Sequence, residues 1–109
     1  MLAVARRFAL AYMPYQIGRL PRWARAAITR TCTPAFARYL LEHPARQTPL
    51  LAAHPNDVET YRVASVNLAA GANRVSVSYV SVQDRADTGA FLVTLAKRRG
   101  RWLVAGLDP

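Results

Sequence analysis

A chain of 109 residues, 52% of them hydrophobic and with a net charge of +9, has the material for one domain around one core. No apolar run reaches the roughly 18 residues of a membrane-crossing helix. The single cysteine, Cys32, excludes an intrachain disulfide and a thiolate zinc cluster and reads as a buried, inert thiol. Lys97 is the one lysine among fifteen basic residues, and residues 1–46 set eight arginines against one acid, Glu42. GC-rich coding DNA also favours Arg and Ala, but a surface of that sign attracts phosphates, anionic lipid or an acidic protein whatever its origin.

The opening MLAVARRFALAYM meets Arg6 and Arg7 inside its apolar stretch, the reverse of a signal peptide. The chain as written is therefore expected in the cytoplasm, or outside it if a membrane anchor precedes it. Residues 2–18 read as a first helix, with Val4, Phe8, Tyr12 and Tyr15 on one apolar stripe. Pro14 predicts a kink, or an end near Ala11, and Gly18 is a natural stop. Pro21 opens a second helix from Arg22 to about Arg30, with Trp23, Ala27 and either Ala26 or Ile28 inward and Arg22, Arg25 and Arg30 outward.

Thr33-Pro34 is the clearest start signal, a capping hydroxyl followed by a proline whose missing N–H costs nothing there. The third helix runs from Pro34 to about Glu42, with Phe36, Tyr39 and Leu40 on its inner face, and Pro44 ends it. Residues 43–57 hold three prolines and both histidines and read as an irregular connection, with Leu50 and Leu51 on the core. Its length suits a segment that lines a pocket mouth or wraps an edge.

Four strands follow: Val58 to Ala70, Arg74 to Val82, Ala90 to Lys97 and Trp102 to Leu107. In the second, Val75, Val77, Tyr79 and Ser81 alternate with Ser76, Ser78, Val80 and Val82. Phe91, Val93 and Leu95 share a face of the third; Trp102, Val104 and Gly106 share one of the fourth, opposite Leu103, Ala105 and Leu107. Short loops, among them the basic turn Arg98-Arg99-Gly100-Arg101, imply an antiparallel meander. The expected fold is α+β, one domain over residues 1–109, with three N-terminal helices on a curved four-stranded antiparallel sheet. The helices cover one sheet face; the other needs the long connection, a second copy or a ligand.

The stretches ARRFALAYMPYQIG, TCTPAFARYLLEHP and GAFLVTLAKRRGRWLVAGLDP, and the order of helices before sheet, resemble small actinobacterial members of the nuclear transport factor 2-like (cystatin-like α+β cone) superfamily. The resemblance covers nearly the whole chain and implies the cone fold. That superfamily holds isomerases and cyclases, ligand-binding domains, and the soluble domain of inner-membrane subunits of conjugation and type IV secretion. The last group carries a membrane helix ahead of the domain, whereas this sequence starts directly at the first helix.

An isomerase-like site needs a carboxylate or histidine base in an apolar cone, facing a donor such as tyrosine. Glu42, Asp57, Glu59, Asp84, Asp87 and Asp108 all fall at element ends, where they read as solvated acids. His43 and His54 precede prolines in the long connection, without a third ligand for a metal. Ser65, Ser76, Ser78 and Ser81 lack a nucleophile elbow, and no phosphate or dinucleotide fingerprint occurs. No catalytic residue, metal ligand or cofactor is assigned.

The pocket candidates are aromatic: Tyr12, Tyr15, Trp23, Phe36, Tyr39, Tyr79, Phe91 and Trp102, which either line a cone pocket or fill the core. Candidates for contact with an anion or acidic partner are Arg22, Arg25, Arg30, Arg98, Arg99 and Arg101. Neither a helix-turn-helix pattern nor basic-aromatic interleaving marks a nucleic-acid reader. The sequence thus favours a non-catalytic binding or assembly module working through protein contacts and self-associating by its free sheet face, with an anionic membrane surface as a further partner. A small apolar ligand in the cone, bound or isomerised, is the alternative, and weak nucleic-acid binding comes third.

Overall fold

The structure is a computed structural model and describes residues 1–44 and 60–108. Three helices come first: α1 (Leu2–Gln16), α2 (Arg22–Thr31) and α3 (Pro34–Glu42). Four strands follow, β1 (Tyr61–Leu68), β2 (Arg74–Ser81), β3 (Thr88–Arg98) and β4 (Arg101–Asp108). They form one open antiparallel sheet in the order β1-β2-β3-β4, so the fold is α+β. Leu50, Leu51, His54, Asp57 and Glu59, with most of the long connection, lie outside the described residues.

Pro14 does not end α1 near Ala11; the helix continues to Gln16. The proline sits in the last turn, and the carbonyl deprived of its donor belongs to the exposed Leu10, where water can reach it. Beyond it the helix closes in a Schellman arrangement. The Arg19 N–H donates to the Pro14 carbonyl (2.9 Å) and the Gly18 N–H to that of Tyr15 (3.1 Å). Gly18 takes the required positive φ of 81°.

The second cap is as the sequence predicts: the Thr33 hydroxyl accepts from the Phe36 N–H at 3.3 Å. Thr33 also donates its own N–H to the Val104 carbonyl at 2.8 Å, so the α2–α3 link lies along the outer edge of β4. At the other end of α3 the Tyr15 hydroxyl meets two terminal carbonyls, Leu40 at 3.0 Å and His43 at 2.6 Å.

The core lies between the helices and one sheet face. Phe8, Ile28, Val75, Val77, Val93 and Val104 are fully buried there, each contributing roughly 1.5–3 kcal/mol of burial. Two inward assignments are corrected. On α2 the buried positions are Ala24, Ile28 and Thr31, and Trp23 is 57% exposed. On α3 they are Ala37 and Leu40, and Tyr39 is 57% exposed. Phe36 of α3 does pack against the core as expected, its ring centre 6.1 Å from that of Phe8.

Two bulges adjust the sheet. One between Val63 and Ser65 lets Tyr61, Val63 and Val66 all reach the core. In the other, Thr94 pairs with Gly106 but Leu95 with Val104, leaving Ala105 extra. That inserted residue turns Leu107, expected on the far face, to pack against the core opposite Val93. The β3–β4 turn has positive φ at both Arg99 (52°) and Gly100 (78°), the two-residue hairpin geometry.

Candidate functional site

The eight aromatic candidates separate into three sets. Tyr12, Tyr15, Tyr79 and Phe91 join Phe8 and Tyr61 in a continuous run of rings under the helices. Neighbouring centroids are 5.3–5.4 Å apart for Phe8–Tyr12, Tyr12–Tyr15, Tyr12–Phe91 and Tyr61–Tyr79. Tyr79 and Phe91 are 6.1 Å apart. This run occupies the space where a cone pocket was expected. Burial raises the pKa of both Tyr12 and Tyr15, the more so for the phenolic charges nearby; at Tyr12 a hydrogen bond with Gln16 opposes the shift. Phe36 packs against the core beside Phe8 (6.1 Å) and stacks on the exposed Tyr39, which also carries the His43 ring at 4.6 Å.

Trp23 and Trp102 form the third set, and they stand at a trough. It lies between α1, α2 and the start of β4 and has a volume of about 800 Å³. Its floor is Val4, Leu10, Trp23, Ala26, Ala27 and Trp102; its polar lining is Thr31 and the guanidinium groups of Arg7, Arg30 and Arg101. A smaller trough of about 300 Å³ continues along α1 past Met13, Pro14 and Ile17, between that helix and Thr60–Val63 of the β1 end. The two meet at Leu10 and Trp23, which line both and are 50% and 57% exposed.

The electrostatics of the larger trough are one-sided. Arg7, Arg30 and Arg101 come from three different elements and have no carboxylate partner among the described residues. The ion pair that is present, Arg74 to Asp108 at 3.5 Å, lies on the exposed surface at the far ends of β2 and β4. Lys97 adds its ammonium 5.7 Å from the Trp102 ring centre, so that indole sits between cations. No acid or histidine lines either trough among the described residues.

Of the arginine candidates, Arg30 and Arg101 meet at the trough; Arg22 and Arg25 are exposed on α2, and Arg98 and Arg99 on the hairpin turn. Arg7 and Leu10 were missed by sequence reasoning. The signal was a second stripe on the first helix, Val4, Arg7, Leu10, Pro14 and Ile17, hidden behind the stronger aromatic one.

The acids sit apart from this. Glu42 is exposed at the end of α3, and Asp84 accepts the Ala86 N–H in its own loop at 3.0 Å. Asp87, which lines neither trough, accepts at 3.1 Å from the hydroxyl of Tyr61, a lining residue of the smaller trough, and so fastens the β2–β3 loop to β1. Ser65 and Ser78 share a hydrogen bond on the far sheet face, and Ser81 is buried, accepting the N–H groups of Gln83 and Asp84. No group of three potential metal ligands occurs among the described residues.

Cys32 is 2% exposed and its thiol is pushed up to about 12 by burial, with the Thr31 hydroxyl 3.9 Å away as its polar neighbour. No described helix is long and apolar enough to cross a membrane. No protein-family model matches this chain, and no curated protein matches it in sequence.

Proposed function

We propose that this domain is a non-catalytic binding and assembly module that engages a partner protein through the trough between α1, α2 and β4. The observation that carries the reading is the convergence on one apolar floor of two tryptophans and three arginines that have no carboxylate partner among the described residues. Tryptophan and arginine are the side chains most enriched among residues that dominate protein interfaces. A guanidinium is not a general base. The resemblance of the sequence to soluble domains of conjugation and secretion subunits points the same way.

A second reading has its own support: about 800 Å³ lies within the range of small-molecule sites, so an anionic amphiphile is the alternative ligand. Site-specific photocrosslinking in the native cell separates the two. A benzophenone amino acid at position 10 or 23 is expected to give an adduct with one protein, identified by mass spectrometry and lost in Arg30→Glu. Absence of a protein adduct at both positions would overturn the proposal. The same probe at position 94, on the far sheet face, tests self-association: a crosslink of the chain to its own copy is the expected product.

A further inference from the structure

We infer that the partner in the larger trough is a different, acidic protein, which offers it a convex apolar ridge bordered by carboxylates; this rests on the binding role proposed above. Residues 1–41, which include α1 and α2, hold seven arginines and no acid. On α1, Arg6 and Arg7 stand four and three positions before Leu10, the spacing that puts side chains on one helix face, and all three are exposed. On α2, Arg30 follows Trp23 by seven positions, two turns along one stripe. Arg7 and Arg30 line the trough from the two helices, beside the half-exposed Leu10 and Trp23. A surface that covers those two apolar side chains takes the neighbouring guanidinium groups out of water with them. A charge so desolvated is costly unless it is paired, and a carboxylate matches the guanidinium fork.

A second copy of this chain is poorly suited to the trough. It carries the same net charge of +9. Of its described acids, Asp87 accepts from Tyr61, Asp108 is paired with Arg74 and Asp84 accepts within its own loop, which leaves Glu42. Shape disfavours a bilayer: a flat surface resting on α1 and α2 would miss Val4, Ala27 and Trp102 in the recess between them and β4. Nucleic acid is disfavoured by the floor, where Val4, Leu10, Ala26 and Ala27 give a base no ring to stack on.

The benzophenone amino acid at position 10 of the full chain, in the native cell, reads the partner's side of the contact once the adduct is digested and sequenced by tandem mass spectrometry. The linked peptide is expected to come from another protein and to carry Asp or Glu on both sides of the joined apolar residue. Arg7→Glu/Arg30→Glu should lower the adduct yield about tenfold or more, the effect of losing close charge pairs. Both positions are exposed, so that variant should keep the wild-type circular dichroism. Arginine in place of the partner's nearest carboxylates should restore the adduct with the variant and abolish it with the wild-type chain, an exchange that misfolding cannot imitate.

Failure of that exchange, with the dichroism of both proteins unchanged, would overturn the charge pairing. A linked peptide without Asp or Glu, or an adduct equally strong in Arg7→Gln/Arg30→Gln, would overturn the acidic chemistry and leave the trough's binding role standing. A link from position 10 to the chain's own copy would overturn the separate partner alone. Adducts with lipid or nucleic acid and no protein, or no adduct at either position 10 or position 23, would overturn both readings.

Discussion

At the scale of single residues, Gly89 has the least room to change. It pairs across the sheet with Tyr79, and a Cβ on it would collide with the outer atoms of the Tyr79 ring. That ring is held from the sides by Tyr61 and Phe91, so it cannot swing away freely. Gly89→Ala should cost about 1–3 kcal/mol in urea denaturation, and most of that cost should vanish in a Tyr79→Ala background. Titratable residues make a second prediction. Cys32, Tyr12 and Tyr15 all hold their protons more tightly folded than unfolded, chiefly through burial. The unfolded chain therefore ionises first, and each group's contribution is complete below its unfolded pKa and lost as pH rises. Thermal stability should hold to about pH 9, where a free thiol titrates, and fall beyond it. Cys32→Ala should lose the first part of that fall, between about pH 9 and 10, before the phenols titrate; an unchanged slope would mean that the thiol is not protected.

At the scale of elements, the pattern of caps and breaks was legible wherever a local signal dictated it. Thr33-Pro34, Gly18 and the Arg-Gly turn specify backbone geometry without help from the rest of the chain. The failures share a different cause. Trp23 and Tyr39 were assigned inward because rings usually bury, yet how the helices are rotated on their neighbours buries Ala24, Ile28, Ala37 and Leu40 instead. That rotation is a tertiary quantity. So is the extra residue at Ala105, which reverses the side of Leu107. Helix α3 depends on a contact of this kind, since Tyr15 of α1 meets its last carbonyls. Tyr15→Phe should cost about 1–2 kcal/mol and speed amide exchange in the final turn of α3, with α2 exchange unchanged.

At the scale of the molecule, a net charge of +9 leaves the fold under self-repulsion. Raising sodium chloride from about 20 to 300 mM should increase Tm, because the screening length shrinks below the separation of many like charges. Arg6→Glu, an exposed position outside the trough lining, should raise Tm at low salt, and that gain should fade as salt is added. The α+β architecture was readable from element order and loop length, because a meander needs only neighbours. The trough was not, since Arg7, Arg30 and Arg101 are separated by 23 and 71 positions in sequence and only packing unites them.

The order of elements has a consequence for synthesis. The helices are translated first, yet α1 packs on β1, β2 and β4, and the α2–α3 link hydrogen-bonds to Val104 near the end of the chain. While the ribosome is still making the sheet, the buried face of α1, with Phe8 at its centre, has α2 to pack on but lacks β1, β2 and β4. The domain must therefore wait, with its first third complete and uncovered, until β4 has cleared the exit tunnel. A nascent chain stalled at the β3–β4 turn is then a natural client for a holding chaperone.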